Sequence, residues 1–223
     1  MVLLSLDTSS VNCAVHVRRS KDVCFERSET IGRGHAEVLI AMIDEALGVL
    51  DLAYKDLTRI GVTTGPGSFT GVRVGLSVAR ALALALDIPV IGVSTLQAHA
   101  AGCPARGAKL VTLDARRGEF YTQLFDHDNR ALAAPRLLSV KEPSPEEWLT
   151  QQNLCLIGSG AAHFQPILAG STIGDESSAP SIVAVAELCE KADVSPLKPA
   201  PLYLRSVDAK PQSDHARIAR VSS

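Results

Sequence analysis

Ile60-Gly61-Val62-Thr63-Thr64-Gly65-Pro66-Gly67-Ser68-Phe69-Thr70-Gly71-Val72-Arg73-Val74-Gly75-Leu76 decides the fold. Its first five residues are β-branched apart from Gly61 and predict a buried strand. Gly65-Pro66-Gly67 continues neither a strand nor a helix, because glycine admits positive φ and proline fixes its own. Ser68 or Thr70 can cap the helix that follows. Asp87-Ile88-Pro89 stops that helix, so it runs over about 69–86. Arg73, Ser77 and Arg80 form a narrow polar stripe along it, and nearly every other position is apolar or small. Gly71, Gly75, Ala79 and Ala83 recur every fourth residue, a ridge that admits close approach of a second helix. A helix apolar on most sides is buried on more than one. Two readings stay open: a core helix of a large sheet, or a helix shared between a sheet and a second protein.

Before this stretch, 2–6, 13–18 and 23–27 read as three antiparallel strands. A helix over about 35–50 follows Gly32-Arg33-Gly34, with Leu39, Ile43, Ala46, Leu47 and Leu50 on one stripe. Val38, Met42 and Val49 form a second stripe beside it, again too apolar for one buried face. After the glycine helix come a short strand (89–93) and a short helix (95–101), ended by Gly102-Cys103-Pro104. A weaker copy of the order follows. Strands are predicted at 109–113, 119–125, 137–140 and 154–157, and helices at 145–149 and 182–191. Each copy opens on a strand ending in an aspartate, Asp7 or Asp114. The expectation is an α/β chain built from two halves by internal duplication, 1–103 and a reduced 104–223, with the C-terminal segment returning to the first half.

With 223 residues and 46% apolar content, the chain has ample material for a core. Aromatics are only 4% and net charge is −2, which argues against a base-stacking platform and against strong autonomous nucleic-acid binding. The start has no basic n-region and no apolar run is expected to cross a bilayer, so a cytoplasmic protein is expected. Five scattered cysteines without a CxxC pair argue against zinc-ribbon and disulfide frameworks and predict buried free thiols.

Asp7-Thr8-Ser9 follows the first strand. It is either an anion-holding turn, a vestigial nucleotide loop, or a plain Asx-turn. Gly65, Gly67 and Gly71 give GxGxxxG, but the next strand lacks the acidic residue that would hold a ribose. Walker A, GxSxG and HExxH patterns are absent from the sequence, and His35, His99 and His163 are isolated. The charge-dense Asp114-Ala115-Arg116-Arg117-Gly118-Glu119 segment is either a partner surface or a solvated hairpin.

Gly65-Pro66-Gly67-Ser68-Phe69-Thr70-Gly71-Val72-Arg73 is highly specific. Together with Leu6-Asp7-Thr8-Ser9, with Asp114-Ala115-Arg116, Glu119 and Tyr121, and with Pro201-Leu202-Tyr203-Leu204-Arg205, it resembles the bacterial TsaB (YeaZ) family over nearly the whole chain. The resemblance implies an actin/sugar-kinase/Hsp70-like duplicated fold with a reduced second half. It implies pairing with the paralogous catalytic subunit TsaD, work with the ATPase TsaE, and self-association when alone. The reaction implied places a threonylcarbamoyl group on the adenosine beside the anticodon of tRNA, which the chain would meet through the complex. TsaD-like chains hold a metal with HxxxH, and the matching stretch here is Thr95-Leu96-Gln97-Ala98-His99. One histidine does not make such a site. The resemblance thus implies a non-catalytic subunit with no metal or cofactor of its own, save a nucleotide at the heterodimer joint. It places the partner surface on the helices at about 35–50 and 69–86. The interface residues expected are Leu39, Met42, Ile43, Gly71, Val72, Gly75 and Ala79, with Gly75→Leu expected to remove the heterodimer and leave a folded monomer. The alternatives are a weak ATP-hydrolysing enzyme using Asp7 and Thr8, or a glycoprotease-like peptidase.

Overall fold

A computed structural model describes residues 1–31, 34–195 and 198–205. The tail from Ser206, and Gly32-Arg33 ahead of the first helix, lie outside the described residues. So do Pro196 and Leu197.

The first sheet begins with a meander of β1 (Leu3–Asp7), β2 (Asn12–Arg18) and β3 (Cys24–Thr30). The decisive stretch supplies β4 (Arg59–Thr63), parallel to β1, and β5 (Val90–Val93) lies parallel to β4. The order is β3-β2-β1-β4-β5. The second sheet contains β6 (Lys109–Asp114), β7 (Glu119–Phe125), β8 (Arg136–Ser139), β9 (Cys155–Ile157) and β10 (Thr172–Asp175) in the order β10-β9-β6-β7-β8. Its pairings run antiparallel through β6, β7 and β8, and parallel through β6, β9 and β10. The two sheets therefore repeat one strand order with one set of directions.

Six α-helices and a 3-10 turn at Tyr54–Asp56 complete the described chain: α1 (His35–Val49), α2 (Phe69–Leu86), α3 (Thr95–Gly102), α4 (Glu146–Leu149), α5 (Ala161–Phe164) and α6 (Ile182–Lys191). Ser68 caps α2, its hydroxyl accepting the Gly71 amide at 3.2 Å. At the other end Asp87 takes φ 53° and closes the helix. α1 and α2 lie on one face of the first sheet, where Leu4, Leu6, Val15 and Val17 meet Leu39, Ile43, Val72 and Leu76. The opposite face carries Leu3 and Ala14 against Ile182, Val185 and Ala186 of α6. Gly61 interrupts its β-branched strand because α6 crosses directly above it; a β-carbon there would overlap the Cys189 thiol.

The helices do not respect the boundary between 103 and 104. α6 covers the first sheet, whereas Leu96, Ala100 and Cys103 of α3 pack on Val111, Leu113 and Ile157 of the second. Lys109 fixes this crossing. It is 2% exposed, and its ammonium donates to the Ala100 carbonyl at 3.0 Å, the Cys103 carbonyl at 2.8 Å and Asn129 Oδ1 at 2.7 Å. A cation at a helix C-terminus satisfies orphan carbonyls and complements the dipole. The other face of the second sheet closes on Trp148 and Phe164.

Of the cysteines, Cys13, Cys103, Cys155 and Cys189 are buried free thiols, but Cys24 is exposed on the edge strand β3. α2 corrects another expectation: its 18 residues, of mean hydropathy 1.5, are long and apolar enough to cross a membrane by length and composition. In this fold it links two parallel strands of one sheet.

Candidate partner face and interlobe cleft

The seven expected interface residues are all buried within the subunit. Leu39, Met42, Ile43, Val72 and Ala79 are at most 3% exposed, and Gly71 and Gly75 are buried too. Within the subunit Gly71 and Gly75 of the ridge pack on the turn after the first strand, and Ala79 and Ala83 pack into the core beside the first sheet. Thr8 donates its hydroxyl to the Gly71 carbonyl at 2.7 Å, a β-carbon at Gly71 would overlap the Thr8 carbonyl, and one at Gly75 would lie 2.5 Å from Thr8 Oγ1. A leucine at Gly75 would meet the Thr8 side chain inside the subunit, which bears against the expectation that Gly75→Leu leaves a folded monomer.

The uncovered faces of the same helices carry other residues. On α2 only a third of the residues are buried, and Leu84 is 76% exposed, with Thr70, Arg73, Ser77, Ala81 and Ala85 exposed beside it. On α1, Val49 is 65% and Ile40 39% exposed, with Ala41 and Gly48 between them. The two helices share one layer over the first sheet, so both faces point away from the same core.

The β1–β2 turn is closed on itself. Asp7 is fully buried and its Oδ1 accepts from the Ser9 amide at 3.1 Å, the Ser9 hydroxyl at 2.6 Å and the Thr63 hydroxyl at 2.6 Å. The second oxygen, Oδ2, is buried without a hydrogen bond. Burial pushes the Asp7 carboxyl above its usual pKa, and the bonds from Ser9 and Thr63 offset part of that rise. The Ser9 carbonyl accepts the Ser68 amide at 2.7 Å. Both hydroxyls that would hold an anion are thus committed to the protein, and the turn has the Asx geometry.

Between the sheets lies a cleft of about 880 Å³. Ser9, the start of α2 at Gly67 and Ser68, the end of β6 at Asp114, and residues 202–205 line it. His35 Nε2 and Thr95 Oγ1 border the cleft as buried polar atoms without a hydrogen bond. His99, one turn beyond Thr95 on α3, is 3% exposed. Burial lowers its pKa to about 4, against the charge of Asp175, so the ring is neutral near pH 7. Among the described residues, three metal-ligating side chains gather only at Asp126-His127-Asp128, an exposed turn far in sequence from α3. His163 stacks on Phe120 at 4.9 Å and has no part in the cleft lining.

Sequence reasoning missed the contacts of the C-terminal segment. Arg73 on α2 donates to the Tyr203 hydroxyl at 2.8 Å, and its guanidinium lies 3.6 Å from the Phe69 ring centre. Arg205 bonds Glu119 and the carbonyls of Ala115 and Arg116. The charge-dense β6–β7 turn is therefore partly an internal anchor. The return to the first half was expected of residues 206–223, which lie outside the described residues; up to Arg205 the described segment contacts both lobes.

Residues 28–193 match the family model described as TsaD: tRNA N6-adenosine threonylcarbamoyltransferase. The chain is 32% identical to the tRNA threonylcarbamoyladenosine biosynthesis protein TsaB of Haemophilus influenzae, over 92% of this chain and 94% of that one. It is 37% identical to TsaB of Bacillus subtilis over 59% of this chain and 58% of the relative. A solved structure described as YeaZ from Pseudomonas aeruginosa superposes with a TM-score of 0.75 at 25% identity, covering 91% of this chain and 99% of that one. Full-length identity at this level, with the same fold, means that the chain belongs to the TsaB (YeaZ) family of tRNA threonylcarbamoyladenosine biosynthesis proteins.

Proposed function

We propose that this chain is a non-catalytic subunit of the tRNA threonylcarbamoyladenosine machinery, and that it pairs with a TsaD-type catalytic chain through the outer faces of α1 and α2. The observation that carries the reading is α2 itself: a helix of mean hydropathy 1.5 that leaves seven of its 18 residues exposed, Ala81, Leu84 and Ala85 among them. Water disfavours such a face, at about 25 cal/mol per Å² of apolar area. A second subunit is the occupant that the family supplies. Alone, the chain would cover the same face with a second copy of itself. The repeated strand order supports an actin/sugar-kinase/Hsp70-like duplication, with halves at 1–103 and 104–223 that exchange α3 and α6.

The non-catalytic part of the reading rests on chemistry. Thr8 and Ser9 spend their hydroxyls internally, Asp7 is shut from the cleft, and His99 stands on α3 where a metal-binding pair would need a second histidine. A TsaE-type ATPase and tRNA meet the assembly and not this chain alone, and the compartment is the cytoplasm. Co-expression with the TsaD-type chain, followed by size-exclusion chromatography, tests the pairing. Elution of the two chains apart at micromolar concentration counts against it. A second reading, a nucleotide-binding cleft with weak hydrolysis, draws on the unpartnered His35 and Thr95 atoms. Calorimetry with ATP and magnesium tests it, and heat of binding with turnover is the result it requires.

A further inference from the structure

We propose that residues 198–205 are a strap that sets the separation of the two lobes, and that its Tyr203–Arg73 latch makes the outer face of α2 depend on that separation. The segment touches both lobes in order. Arg80 of α2 donates to the Pro199 carbonyl, and Pro199 lies against Gly92 of β5 so closely that a β-carbon there would stand 2.6 Å away. The Leu202 amide donates to the Thr64 carbonyl at 2.8 Å, just after β4. Tyr203 then turns out to α2, where its ring lies 5.4 Å from Phe69 and its hydroxyl receives Arg73. Leu204 packs against the cluster in which Val111, Leu113 and Phe125 of the second sheet meet Leu96 and Ala100 of α3. Arg205 ends the crossing on the β6–β7 turn, bonded to Glu119 and to the Ala115 carbonyl at 3.0 Å.

Four consecutive residues, 202–205, line the cleft, so the strap is one of its walls. Its hold on each lobe uses backbone as well as side chains, and a guanidinium held by a carboxylate and carbonyls has a fixed planar geometry. Opening of the cleft must therefore pull on Leu202, on Arg205, or on both. Tyr203 and Phe69 are 43% and 45% exposed, and with Arg73 they form the N-terminal end of the uncovered α2 face. A partner seated on that face would touch the strap directly. This last step rests on the partner reading given above; the strap itself does not.

Amide hydrogen exchange on the free full-length chain tests the strap. Arg205→Ala is expected to raise exchange of the Leu202 amide, anchored on the first lobe, at least tenfold. Tyr203→Ala is expected to raise exchange at 115–119, on the second lobe, by a similar factor. The strands of the first sheet should stay protected as in the wild type. Unchanged exchange at Leu202 in the first variant, or at 115–119 in the second, overturns the strap; 115–119 is the distant readout, since a purely local role of Tyr203 leaves the β6–β7 turn as it is. Where either alanine variant fails to fold, Tyr203→Phe and Arg205→Lys decide by the same comparison: a rise of threefold or more supports the strap, and none overturns it. Titration with the TsaD-type chain reads the coupling. Tyr203→Ala is expected to weaken binding about tenfold, and unchanged affinity overturns the latch. If the wild type binds no partner, the partner reading fails, while the exchange data still judge the strap.

Discussion

Leu84→Glu separates the uncovered face of α2 from its buried one. Leu84 is 76% exposed, so the subunit loses little packing when it is replaced. Fully burying a leucine side chain is worth about 1.5–3 kcal/mol, and three quarters of that surface is left for a partner to cover, or about 1–2 kcal/mol. A carboxylate in its place must also be desolvated on docking, which costs at least a further ~1–2 kcal/mol when no cation awaits it. The sum, about 3 kcal/mol, corresponds to a loss on the order of 100-fold in affinity. The assay is calorimetric titration of wild type and variant with the TsaD-type chain, alongside thermal unfolding of each free protein. Unfolding should shift by no more than about 2 °C, as expected of a surface substitution in a domain of this size. A dissociation constant within threefold of wild type, with the fold intact, refutes the placing of this face in the interface.

Gly71→Ala is the converse case. Its methyl group would overlap the Thr8 carbonyl, so overpacking should cost at least ~1–3 kcal/mol and lower the melting temperature of the free chain, read by calorimetry. Lys109→Met leaves two helix-end carbonyls and Asn129 without their cation; an expected loss of about 3 kcal/mol should appear as an earlier urea midpoint. His16 and His99, both buried, titrate near 4 when folded and near 6.5 when unfolded. The unfolded chain takes up these protons first, so stability present above pH 6.5 is lost as pH falls towards 4, by about 3 kcal/mol for each histidine. Asp7, raised by burial, opposes this at the acid end, because its protonated form suits the folded site. Urea midpoints measured between pH 7 and pH 4 should therefore fall, and a flat profile would contradict the burial of the imidazoles.

The strand, glycine turn and helix from Ile60 onward were legible because three independent signals agree there: β-branching, turn chemistry and a cap. The second sheet was legible only in part. β10 spans four mostly exposed residues around Gly174 and pairs only with β9, so it has neither alternation nor a β-branched run to announce it. α5 is one turn long and follows Gly160 without a side-chain cap.

Helical spacing placed Gly71, Gly75 and Ala79 on one face of α2, and they do share one. Spacing alone does not tell which face the chain's own backbone covers. The β1–β2 turn, 63 residues away at Thr8, takes the Gly71 and Gly75 end of that face, a long-range contact with no local signature. Larger separations, 130 and 86 residues, hid Arg73–Tyr203 and Arg205–Glu119, although all four residues lie in stretches that the family resemblance singled out. Asp7-Thr8-Ser9 looked free to bind an anion because a sequence shows donors without showing where they are spent.

The measurement that reaches the central claim most directly is mass spectrometry of nucleosides from tRNA incubated with the TsaD-type and TsaE-type chains, with and without this one. Threonylcarbamoyladenosine should form only when this chain is present, should fall sharply with Leu84→Glu, and should be absent when this chain is the sole protein. Modification by this chain alone, or equal modification in its absence, would contradict the account.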